Sequence, residues 1–142
     1  MIGLIVTGHG NFGTGLTSAI NLIAGPQENY VAIDFTDDAV DKLEADINAA
    51  FDQLSNCDGI IVFCDLPGGS PFKTAVMQSQ GRNNIEVIAG TNMPMLAEIT
   101  MARSMIDELD VLVETALNIG KEQIVKFAMS KPQVNEPDGD GI

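Results

Sequence analysis

Four short apolar runs rich in β-branched residues recur along the chain, at Ile2 to Thr7, Tyr30 to Phe35, Gly59 to Cys64 and Ile85 to Ala89. Each is nearly continuous rather than alternating, the pattern of strands buried on both faces of a parallel sheet. Between them the apolar period lengthens to that of helices. Leu16, Ala19, Ile20 and Ile23 share one helical face until Gly25-Pro26 stops it. Thr36 is placed to cap a second helix, with Asp37 and Asp38 at its positive end and Val40, Leu43, Ile47, Phe51 and Leu54 as its buried stripe. Pro71 and Pro94 mark the first turns of two more helices, because a first-turn N–H lacks a partner anyway. Leu109, Leu112, Val113, Ala116 and Leu117 form a fifth, with Gly120 expected to end it. "QIVKFAM" is then strand-like, and the run from 132 to 142 has no apolar period and reads as a loose tail.

Strands alternating with helices predict an open α/β sheet, mostly parallel and covered by helices on both faces. In such sheets ligands gather at the carboxyl ends of the strands, near the point where strand order reverses. Those ends read "TGHGNFG", "DFTDD", "DLPGGSPF" and "GTNMPM". His9, Asp65 and Ser70 are the reactive side chains among them. In strand order 2-1-3-4 the first and third strands are neighbours and His9 can meet Asp65; in order 3-2-1-4 it cannot. An aspartate on one ring nitrogen fixes the tautomer and leaves the other nitrogen as a nucleophile. Gly10, Gly68 and Gly69 let backbone N–H groups approach phosphoryl oxygens, and two helix starts add their dipoles. Each residue also has a plainer use: Asp65 can shape the turn that follows it, and Ser70 before Pro71 is placed as a helix N-cap.

Gly8, Gly10 and Gly13 spell G-x-G-x-x-G after a strand, and Asp34 lies where a dinucleotide fold carries its ribose-binding acid. A nucleotide-binding module is therefore an alternative from another class. Against it, 142 residues leave no room for a separate substrate domain, and the motif does not account for "DLPGGSP". A histidine phosphatase would need an arginine where Gly8 stands.

The net charge of −13 and the scattering of seven basic residues exclude an electrostatic footprint for nucleic acid or an anionic membrane. No apolar run reaches the roughly 18 residues that span a bilayer, and Met1-Ile2-Gly3-Leu4 enters the first strand with no leader pattern, so a cytoplasmic protein is expected. Cys57 and Cys64 are no C-x-x-C pair, and neither a metal nor a cofactor is expected.

Taken together, "GLIVTGHGNFGTGL", "DLPGGSPF" and "VIAGTNMPMLAE" at these separations resemble the IIA component of the mannose family of the bacterial sugar phosphotransferase system, over nearly the whole chain to about Lys131. The resemblance implies a single α/β domain over 1–131 with strand order 2-1-3-4 and a late antiparallel strand, around Ile124 to Met129, exchanged in a homodimer. It implies a protein-histidine phosphotransferase in which His9 accepts the phosphoryl group on Nε2, Asp65 orients the ring, and Ser70 sits beside the phosphoryl oxygens. The implied partners are the histidine-containing phosphocarrier protein as donor and a IIB component as acceptor, with the membrane reached only through IIC and IID proteins. The phosphocarrier subunit of a dihydroxyacetone kinase is the alternative within the class, and "GGSP" favours the sugar system. Phe12, Leu66, Phe72 and Met93 are candidates for a docking collar around His9, methionine adapting to varied surfaces. Met101 and Met105 are assigned to the core.

Overall fold

In the computed structural model, which describes residues 1–129, the chain order is β1 (Ile2–His9), α1 (Phe12–Ala24), β2 (Tyr30–Phe35), α2 (Val40–Gln53), β3 (Gly59–Cys64), α3 (Ser70–Ser79), β4 (Ile85–Ile88), α4 (Met93–Ala102) and α5 (Leu109–Glu122). The strands form one sheet in the order β2-β1-β3-β4, and every pairing is parallel. This is the expected 2-1-3-4 order.

The near-continuous apolar runs follow from burial on both faces. Ile2, Leu4 and Val6 of β1 and Ile61 and Phe63 of β3 face one way, packing with Ile20 of α1, Leu96 and Ile99 of α4 and Leu112 of α5. Ile5 of β1 and Ile60, Val62 and Cys64 of β3 face the other way, against Leu43, Ile47 and Phe51 of α2 and Ala75 of α3. Fully burying one such side chain contributes about 1.5–3 kcal/mol, so the two central strands anchor the fold. The edge strands β2 and β4 are buried only in part.

Gly13 allows α1 to lie directly on the sheet: a Cβ there would come within 2.6 Å of the Ile33 carbonyl and 2.8 Å of that of Val6. The third glycine of the motif thus serves helix–strand packing.

Local chemistry departs from the sequence expectations at several points. Helix α2 starts at Val40 behind Ala39, not at Thr36, because Asp38 turns the chain with φ of 51° before the helix can begin. Val40, Ile23 and Leu117 lie at the exposed margins of their stripes. Gly120 does not end α5, which runs on to Glu122. It is a packing glycine, where a Cβ would meet Met95 Cε at 2.5 Å, and its carbonyl accepts a 2.9 Å hydrogen bond from Asn92 Nδ2. Met101 and Met105 are exposed rather than in the core. Among the described residues, 124–129 pair with no strand, and the tail expected over 132–142 lies outside the described residues.

Candidate functional site

Strand register decides which residues meet at the carboxyl rim. Thr7 pairs with Cys64 and His9 with Phe35, so β1 outruns β3 by two residues and Asp65 turns in beside the end of β1. Gly8 makes room for that approach. A Cβ on it would lie 2.6 Å from the Phe12 ring and 2.8 Å from Asp65 Cγ.

Asp65 holds His9 at two points through one oxygen. Its Oδ2 accepts from the His9 backbone N–H at 2.8 Å and lies 2.8 Å from ring Nδ1. Burial works to raise the Asp65 pKa, but the backbone N–H and ring of His9 and the Leu66 amide outweigh it and hold the carboxyl below its ordinary value. An ionised carboxylate only accepts, so Nδ1 carries the proton and Nε2 keeps its lone pair. The side chains are 45% exposed for His9 and 13% for Asp65, a reachable ring on a sheltered orienting group.

The rest of the setting comes from β2 and α3. Gly10, with φ of +59°, reverses the chain so that its N–H donates to Phe35 O at 2.7 Å and its carbonyl accepts from Phe35 N–H at 3.1 Å. The Phe35 ring stands edge-to-face against the His9 ring, centroids 5.9 Å apart at 70°. Gly68 turns with φ of +79°, and Gly69 brings the start of α3 against the imidazole, where a Cβ would sit 2.7 Å from His9 Cε1. Gly69, not Ser70, holds the N-cap position; Ser70 is the first helical residue and makes no side-chain capping bond. Pro71 follows it, and Lys73 N–H already donates to Gly69 O, so the free first-turn donors of α3 are the N–H groups of Ser70 and Phe72.

His9, Asp65, Gly10 and Gly69 are therefore brought together, with Ser70 one residue beyond. The proposed collar is less uniform. Leu66 is exposed on the rim, Phe72 packs partly against the α2–α3 side of the core, and Phe12 and Met93 pack partly against the opposite side. Phe35 and Gly8 were not singled out by the sequence as ring neighbours. The available signals were the place of Phe35 as the last apolar residue of the second rim segment and the glycine immediately before the histidine.

The dinucleotide alternative loses its key residue. Asp34 Oδ1 accepts from Thr14 N–H at 2.9 Å and its Oδ2 from Thr14 Oγ1 at 2.6 Å, so the acid and an amide of the first α1 turn satisfy each other. A groove of about 530 Å³ runs beside them between β2 and α2, and His9 does not line it. No cluster of metal-ligating side chains occurs among the described residues, and no helix among them is long and apolar enough to cross a membrane.

The family model described as PTS system fructose IIA component, EIIA-man, matches residues 3–117. The chain belongs to this family. The PTS system mannose-specific EIIAB component of Escherichia coli K12 is 35% identical over 132 residues, 92% of this chain and 41% of that protein. The chain thus spans about two fifths of that relative's length. The PTS system fructose-specific EIIA component of Bacillus subtilis is 21% identical over 145 residues, covering 97% of this chain and 99% of its own. Among solved structures, a phosphotransferase system component EIIA from Streptococcus agalactiae superposes with a TM-score of 0.79 at 33% identity, over 89% of this chain and 97% of that one. A mannose/sorbose specific IIA subunit from Enterococcus faecalis gives 0.81 at 23% identity over 92% and 98%, a likeness of fold.

Proposed function

We propose that this EIIA-man protein is a phosphocarrier in which His9 Nε2 accepts a phosphoryl group from the histidine-containing phosphocarrier protein and passes it to a IIB component. The observation that carries the reading is the division of the imidazole: Nδ1 tied to Asp65 at 2.8 Å, and the other edge of a ring that is 45% exposed left for chemistry. In the forward step the Nε2 lone pair attacks phosphorus in line. The new N–P bond forms as the donor's N–P bond breaks, and the Nδ1 proton stays on the ring, facing the carboxylate that stabilises its positive charge. Transfer to the IIB component is the same displacement with His9 as the leaving group.

Positioning and fixed donors supply the remaining catalysis. The first-turn N–H groups of Ser70 and Phe72, with the Ser70 hydroxyl, are assigned to the phosphoryl oxygens, and the glycines at 10, 68 and 69 keep that side of the ring clear. An exposed phosphohistidine suits a group that two different proteins must reach in turn. Phe12, Leu66, Phe72 and Met93 are assigned to that docking rim, and the IIC and IID proteins are the indirect link to a membrane. The chain is further assigned to a homodimer completed by the late strand.

Incubating the protein with phosphoenolpyruvate and the general phosphotransferase proteins should place one acid-labile phosphate on each chain, and His9→Gln should abolish it. Undiminished labelling of that variant would overturn the assignment.

A further inference from the structure

We propose that Phe35 is a positioning residue for phosphoryl transfer, setting the plane of the His9 ring while Asp65 sets its tautomer. The inference rests on the carrier reading and adds a second constraint to the same site. A single acceptor at Nδ1 holds one point of the imidazole, yet pivoting of the ring about that contact would still swing Nε2 through an arc. Something must oppose that rotation in a ring that is 45% exposed.

Phe35 meets the requirement on three counts. It is the β2 residue paired with His9 in the sheet register. Its ring stands against the imidazole at 5.9 Å and 70°, a preferred aromatic geometry. It is itself only 8% exposed, packed with Ile5, Ile33 and Leu43, so it is a wall rather than a second mobile group. The reciprocal backbone bonds between Gly10 and Phe35, 2.7 and 3.1 Å long, tie the residue after the histidine to the same wall. Gly69 limits the ring on the α3 side, where its missing Cβ would stand 2.7 Å from Cε1. The imidazole is therefore confined between a fixed aromatic and a fixed backbone, with Asp65 at its base and Nε2 directed outward.

The test compares Phe35→Leu, Phe35→Tyr and, as a destabilising control in the same apolar cluster, Ile47→Val. Phosphotransfer from the donor protein is measured together with melting temperature, and long-range proton–nitrogen correlations of the His9 ring report its tautomer. Phe35→Leu should lower kcat by about tenfold to a hundredfold, the upper figure being that of a 1 Å misplacement of a reacting group, with KM for the donor unchanged. The Nδ1–H tautomer should persist, because Asp65 remains. Phe35→Tyr keeps the aromatic ring and should return at least half of the rate. Wild-type kcat in Phe35→Leu, or a loss no greater than that of Ile47→Val at equal melting temperature, would overturn the proposal while the carrier reading stands. Labelling that survives His9→Gln would instead remove the carrier reading, and this proposal with it.

Discussion

Asp65 contacts the His9 backbone and ring through one carboxylate oxygen, and by the same contacts bears on the acid stability of the fold. Its folded pKa lies below the ordinary 3.8, with burial opposing the shift and the hydrogen bonds from His9 outweighing it. A depressed carboxylate contributes stability that is present above its unfolded value and lost as pH falls through the folded one. Stability carried by Asp65 should therefore be intact at neutral pH and disappear below pH ~4. Asp65→Asn cannot ionise, so its urea midpoint should fall less steeply than that of the wild type between about pH 4 and 2. Parallel acid limbs in the two proteins would show that Asp65 is not a source of this dependence. The pairing itself was legible: strand ends locate the rim, and order 2-1-3-4 makes His9 and Asp65 neighbours. The aromatic wall was not. That Phe35 faces the histidine depends on the β1–β2 register, which pairs His9 with Phe35 and which apolar runs alone do not specify. Ser70 was misread as an N-cap because α3 begins one residue before Pro71, which puts Gly69 in the extended cap position and Ser70 inside the helix.

At the scale of elements, the opposite end of the sheet is closed by Arg103, which is 1% exposed. It sits just past α4, and its guanidinium donates to Ile2 O and Asn29 O at 2.9 Å, to Glu28 O at 2.6 Å and to Gln27 Oε1 at 3.2 Å. One side chain thus joins α4, the start of β1 and the loop before β2. Burial lowers its pKa, yet an arginine stays charged at any working pH. Arg103→Met would leave four acceptors without this donor at roughly 1–3 kcal/mol each, so a loss of at least about 4 kcal/mol is expected in urea denaturation. Phosphotransfer by the folded fraction should be unchanged, because β1 spans about 23 Å between this clasp and the histidine. A specific loss of transfer at full stability would contradict that separation. The strands and most helices were legible because their apolar periods record burial directly. Arg103 was only one of seven scattered cations, since its partners are mostly backbone carbonyls, which leave no pattern in sequence. Gly120 misled for the opposite reason. A glycine late in a helix can be a stop or a point of close approach, and only the Met95 side chain packed against it shows which.

At the scale of the whole molecule, the apolar segment after α5 is left uncovered among the described residues. Ile124, Val125, Phe127 and Met129 are 77–88% exposed, an unusual cluster on a chain with net charge −13. Strand β4 is an edge of the sheet, and a groove of about 470 Å³ beside it is lined by Glu86, Leu109, Val113 and Leu117. A second copy would supply both missing halves, each late segment adding to the other's β4 edge. Four apolar side chains per chain, at about 1.5–3 kcal/mol each when fully buried, give association a substantial drive. Two chains of charge −13 also repel, and salt screens exposed charges over about 8 Å at physiological strength. The dimer should therefore tighten as salt is raised, the reverse of an interface held by opposite charges. Light scattering should give twice the 15.1 kDa chain mass, with dissociation on dilution more pronounced at low salt. Phe127→Asp should shift the population to single chains while leaving the His9–Asp65 pair intact. A wild-type protein that stays monomeric at high concentration and high salt would sink the exchanged-strand assignment, and an unaltered dimer in Phe127→Asp would place the interface elsewhere.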